Sequence, residues 1–119
     1  MKVAINTCYG GFGISDEAFE KLLERKGIEF ETVLNESKFL GNSYYKKGML
    51  NDDDGYISQY DFYSERDDAD LIAVIEEMGK SSWGWAAEIA IIEIPDDADW
   101  YIEEHDGREH VAEYHRTWP

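Results

Sequence analysis

Cysteine is almost absent from this chain: Cys8 is the only one in 119 residues. A lone cysteine closes no internal disulfide and builds no cysteine-based zinc site, which leaves Cys8 either packed or reactive. Long apolar runs are missing as well. None approaches the roughly 18 residues a membrane span needs, and the start MKVAINTCYGG turns polar too soon for a signal peptide. The expectation is a soluble, intracellular protein with no membrane role. Basic residues are scarce, with 11 Lys and Arg against 27 Asp and Glu and a net charge of −16. Such a surface repels nucleic-acid phosphates and anionic lipids, so direct nucleic-acid binding is not expected and a basic protein is the natural complement. Internal repeats, low-complexity tracts and linkers are lacking too.

The apolar content is enough for one core, since 43% of the residues are hydrophobic and 14% aromatic in a chain of single-domain size. Lys2 to Ile5 reads as a short buried strand. Ser15 then stands where a helix N-cap belongs, with Asp16 and Glu17 in the favoured acidic first turn. Ala18, Phe19, Leu22 and Leu23 recur at helical spacing, and Arg25, Lys26 and Gly27 supply a basic last turn and a stop. Residues 28–34 alternate as a second strand, so strand, helix and strand together predict a right-handed parallel crossover. Residues 35–66 show no sustained period and read as loop, with one short strand near residues 56–62. Asp67 or Asp68 caps a second helix over residues 69–78, with Leu71, Ile72, Val74, Ile75 and Met78 on its apolar side and Gly79 at its end. Residues 86–94 form a mostly apolar strand closed by Pro95, and Asp106-Gly107 marks a terminal hairpin. The predicted fold is a single α+β domain spanning residues 1–119. It has a mixed sheet with an N-terminal βαβ unit, two helices on one face and a C-terminal antiparallel hairpin.

The stretch CYGGFGISDEAFE raises the first question of chemistry, because glycine-rich N–H groups at a helix start can cradle a phosphate. The loop lacks the lysine of a P-loop, and Asp16 stands where a dinucleotide motif has its third glycine. One reading is therefore a plain strand-to-helix turn. The other is a binder of a small anionic nucleotide signal, held by Gly10, Gly11, Gly13 and Ser15 with stacking from Tyr9 or Phe12. Cys8 lies where thiolates are stabilised, but its sequence neighbours offer no base, so packing is the expected role and no catalytic residue is assigned. LNDDDGYISQYD approximates a calcium loop through Asp52, Asp54, Gly55 and Asp61, yet Leu50 occupies the first ligand position and no helices flank it. His105, His110 and His115 are spaced by five, which is no metalloprotease pattern. A two-residue turn would set His110 opposite Glu103 and His105 opposite Arg108. No metal and no cofactor is implied.

The acidic groups are unevenly placed. Residues 1–60 hold 7 basic and 10 acidic groups (−3), whereas residues 61–119 hold 4 and 17 (−13). Within the second half, Asp96, Asp97, Asp99, Glu103, Glu104 and Glu109 are interleaved with Trp100, Tyr101, Tyr114 and Trp118. Each face of a strand repeats every 6 to 7 Å or so, near the spacing of phosphates along one nucleic-acid strand, so ordered carboxylates there would imitate a phosphate row.

INTCYGGFGISDEA, RDDADLIAVIEEMG and IIEIPDDADWYIEEHDGREHVAEYHRTW cover well over half the chain. In these stretches the sequence resembles a family of small, uncharacterised proteins encoded by bacteriophages and prophages. The resemblance implies a phage protein working in the host bacterial cytoplasm, and it assigns no catalytic residue. The expected function is then binding: a counter-defence inhibitor whose acidic second half docks on a basic host protein. Sequestration of a nucleotide second messenger by the glycine loop is the alternative, and a small hydrolase the third reading.

Overall fold

The computed structural model describes residues 1–36 and 41–114. Strand β1 (Lys2–Asn6) is buried from Val3 onward and leads through the glycine-rich segment into helix α1 (Asp16–Arg25). Ser15 caps α1 as its sequence position predicts, its hydroxyl accepting the Ala18 N–H. Helix α3 (Ala69–Met78) follows the short helix α2 (Gln59–Tyr63), is capped by Asp68 and ends at Gly79. The two longer helices run antiparallel, because Lys21 meets Glu77 at 2.8 Å while Arg25 and Lys26 meet Asp70 and Asp68 at the other end. These contacts complement both helix dipoles, with cations at the end of α1 and carboxylates at the start of α3. Partial burial works against the charge on Lys26, but the hydrogen bonds and charges of Asp68 and Asp70 hold its pKa above the ordinary lysine value.

The apolar stripes of both helices enter one core: Phe19, Leu22 and Leu23 from α1, and Leu71, Val74 and Ile75 from α3, together with Tyr44 and Ile57. Phe19 and Phe30 meet the Tyr44 ring edge-on at 5.0 and 5.6 Å. No described helix is long and apolar enough to cross a membrane.

The α+β class and the C-terminal hairpin stand as expected, but the strand pairing of the first unit does not. Strand β2 (Phe30–Val33) pairs antiparallel with β3 (Ser43–Lys46), which pairs antiparallel with β4 (Tyr56–Ile57). Strand β1 pairs instead with β5 (Ile89–Glu93), also antiparallel, in the register Ala4 opposite Ile91. Strands β6 (Trp100–His105) and β7 (Arg108–Glu113) form the hairpin. The described strands thus form three small antiparallel sheets rather than one mixed sheet, and β1–α1–β2 is not a parallel crossover. Two physical causes explain this. A parallel strand must be buried on both faces, whereas β2 is half-buried and runs into an 80% exposed Leu34. The free edge of β1 is also taken: Ala4 N–H donates to the Arg66 carbonyl at 2.9 Å, and Asn6 N–H donates to the Glu109 carboxylate at 2.8 Å.

Tyr44 makes the fold sensitive to alkali. Its hydroxyl donates to Glu20 at 3.1 Å; burial first, and then the charges of Asp16 and Glu20, raise its pKa far above the usual tyrosine value. Burial raises Tyr63 in the same direction. Because the folded state favours the protonated form of both, and of Lys26, their contribution is complete below the unfolded pKa near 10 and is lost as pH rises through the folded values. Denaturant midpoints should hold steady from pH 8 to about 10 and then fall. Tyr44→Phe should flatten that fall, and an unchanged alkaline slope in the variant would contradict this origin.

Candidate functional site

Asn6 ends β1 fully buried, and every polar atom of its amide is used. Its Nδ2 donates to the carbonyls of Cys8 and Gly107, both at 2.8 Å, and its Oδ1 accepts the Glu88 N–H at 2.9 Å. One side chain therefore fixes the start of the glycine loop, the approach to β5 and the hairpin turn. Glu109 completes the centre. Its carboxylate receives both guanidinium nitrogens of Arg66, at 2.6 and 2.9 Å, and the Asn6 N–H. The same guanidinium stacks on Phe12, 3.6 Å from the ring centroid.

The glycine loop itself runs extended against residues 82–86. Gly11 N–H donates to Ala86 O, Gly84 N–H to Gly13 O, and Ser15 N–H to Ser82 O. Gly10 is required by close approach: a Cβ there would lie 1.8 Å from Ala86 O. Gly107 turns the hairpin at φ +88°, and a Cβ on it would lie 2.0 Å from Gly10 O. Gly10, Gly11, Gly13 and Ser15, foreseen as an anion cradle, line a cleft, with part of their N–H groups already committed. None of the three glycines takes the left-handed conformation that a nest of N–H groups needs, and Gly11 and Ser15 already donate to backbone oxygens. The Ser15 hydroxyl is also engaged, donating to Ser81 O at 2.6 Å. Half-buried Cys8 donates its thiol to Asn6 Oδ1 and Ala86 O at 3.3 and 3.2 Å.

Beside this loop lies a cleft of about 750 Å³, bounded by the start of α1, β3, β4, α2 and residues 83–86. Phe12, Tyr56, Tyr60, Tyr63, Trp83 and Trp85 line it, with Asn42, Ser58 and Gln59 as neutral polar groups. Its described charged side chains are Asp16 and Glu17; no described Lys, Arg or His contributes. Phe12 and Tyr63 stand 5.5 Å apart, and Tyr60 and Tyr63 5.9 Å. Tyr9 lies apart from the cleft, exposed, with Arg108 5.9 Å from its ring.

The acidic residues of the second half divide into several roles. Asp96 pairs with the N-terminal ammonium, which hydrogen-bonds to it and holds its pKa below the usual carboxylate value. Asp97, Asp99 and Glu103 are exposed and form no ion pair with a described residue, while Trp100 and Tyr101 are half-buried. The Tyr101 hydroxyl donates to Glu103 at 2.9 Å, a bond that raises the tyrosine pKa. Glu104 accepts the Gly107 N–H at 2.6 Å. Glu109 is 7% exposed and belongs to the interior, so it is withdrawn from the surface assigned to it. Strand alternation sets Glu103 on the face opposite Glu104 and Glu109, and no single row of carboxylates results. His110 lies opposite Glu103 and His105 opposite Arg108, in the expected register, with His105 3.5 Å from Asp106. His115 and Trp118 lie outside the described residues. In the LNDDDGYISQYD segment, Asp52 caps a short 3-10 turn by accepting the Asp54 N–H. No group of three metal-ligating side chains occurs among the described residues.

Sequence reading missed Asn6 and Arg66. Both carried a signal: a carboxamide closing an apolar strand, and the one cation in SERDDAD.

The loop geometry separates its glycines. Gly10→Ala should lower stability severely, because backbone must move, whereas Gly11→Ala meets nothing within 4 Å and should be neutral or stabilising by about 0.4–1 kcal/mol. Urea midpoints of the two variants check this, and equal losses would refute the packing role of Gly10. Compared with known proteins, the chain matches no family model, no curated protein and no solved structure.

Proposed function

We propose that this protein acts by binding, as a phage accessory protein that inhibits a basic host defence protein by docking its acidic second half on it. The observation that carries this reading is the exposed set Asp97, Asp99 and Glu103, which form no ion pair with a described residue, beside Trp100 and Tyr101, in the half of the chain that holds a net −13. Much of the remaining acidity has a structural task. Asp68, Asp70 and Glu77 join α3 to α1, Glu76 pairs with Lys2, and Glu109 holds Arg66. Asp97, Asp99 and Glu103 make no such ion pair with a described residue, and the exposed Tyr114 ring lies 4.7 Å from that of Tyr101. Aromatic anchors supply interface energy, while complementary charge speeds association and selects the partner.

Two of the N–H groups that would hold a nucleotide messenger, those of Gly11 and Ser15, already donate to backbone oxygens, which favours protein recognition in this reading. Because the carboxylates do not form one row, it rests on general charge complementarity and not on copying a phosphate backbone. The test is capture of host proteins from infected cells by the wild type and by Asp97→Lys/Asp99→Lys/Glu103→Lys, with circular dichroism confirming that the variant folds. The wild type should retain a basic protein that elutes as salt rises, and the reversed variant should lose it. Capture indifferent to both salt and reversal would overturn the proposal.

A further inference from the structure

The aromatic cleft has a ligand chemistry of its own. Three of its rings are largely open to solvent: Tyr56, Tyr60 and Trp85 expose 54%, 65% and 68% of their surface. Their faces carry partial negative charge, and two full negative charges, Asp16 and Glu17, stand on the first turn of α1 at the same cleft. Those carboxylates outweigh the half positive charge of the helix end. Asp16 also accepts the Asn42 N–H at 3.1 Å, which holds it against the cleft wall, whereas Glu17 is exposed. No described cation lines the site, and the chain as a whole carries −16. The described charged groups that line the cleft therefore favour a cation.

A guanidinium satisfies this combination best. It is planar, stacks on tyrosine and tryptophan faces, and offers forked donors to a carboxylate. The molecule already uses that pairing on a ring of this cleft, where the Arg66 guanidinium carbon lies over Phe12, 3.6 Å from its centroid. A volume of about 750 Å³ suits a short peptide segment rather than an isolated ion. The amide and hydroxyl groups of Asn42, Ser58 and Gln59 provide neutral hydrogen-bonding partners for its backbone.

We infer that the cleft is a receptor for an arginine side chain presented by a peptide segment of a partner protein, the guanidinium stacking on Tyr60 and Tyr63 and pairing with Asp16 and Glu17. This site is separate from the carboxylates at Asp97, Asp99 and Glu103, and it stands or falls without them.

The probe is an acetylated, amidated Gly-Arg-Gly peptide, with the citrulline peptide as its neutral isostere and maltotriose and AMP as alternative ligands. Binding is followed by NMR shifts of the Trp83 and Trp85 indoles on the full chain. The arginine peptide should move these signals and bind at least about tenfold more tightly than the citrulline peptide. Glu17→Gln and Tyr60→Ala, both at exposed positions, should each weaken it several-fold. The variant Asp97→Lys/Asp99→Lys/Glu103→Lys should bind it as the wild type does, so failure of the surface proposal leaves this result intact. Equal binding of the citrulline peptide would overturn the inference. So would indole shifts with maltotriose or AMP and none with the arginine peptide.

Discussion

A buried ion pair between Arg66 and Glu109 holds the architecture together. β1 brings unpaired backbone groups to its edge away from β5, and these would be costly to bury unsatisfied. The Arg66 carbonyl and guanidinium take the N–H and C=O of Ala4, and the Glu109 carboxylate takes the N–H of Asn6. The pair thereby replaces a neighbouring strand. It also ties the chain before α3 to β7, residues 43 positions apart, and sets Phe12 against the guanidinium. Burying two charges is expensive and is offset here by bidentate geometry and by the further hydrogen bonds each partner makes. The hairpin depends on this pair and on Asn6 for its attachment to β1, since most of its other polar side chains are exposed.

Local signals were legible where one residue type has one local physical task. Ser15 and Asp68 cap helices because their side-chain oxygens reach the first free N–H groups; Ser15 stands at the position read from the sequence, and Asp68 is one of the two candidates it offered. Asp106-Gly107 turns a hairpin because both residues take positive φ. The order strand, helix, strand was equally legible, but the partner of each strand was not. Pairing depends on which edges are left free, and the edge of β1 is closed by residues 62 and 103 positions downstream. The interior place of Glu109 escaped detection for the same reason: a glutamate in EEHDGREH reads as surface until its arginine is known.

The glycine loop shows how one motif serves different physics. Small residues permit close approach of backbone, and the approaching group can be a phosphate or another chain segment. Here Ala86 O and the Gly107 turn fill the space at Gly10, whereas Gly11 and Gly13 face open space along the cleft. The cleft it borders is lined mainly by aromatic rings from residues 56–63 and 83–85, segments with no period in the sequence. The structure separates acidity that laces helices together from acidity left facing solvent.

A double-mutant cycle on Arg66→Met and Glu109→Met, read from urea denaturation, tests the central claim most directly. Each single change strands a charge in the interior and should cost about 3–5 kcal/mol, with the double change costing far less than the sum. Single losses under about 1 kcal/mol that simply add would contradict the account, because the pair would then be an exposed contact of little consequence.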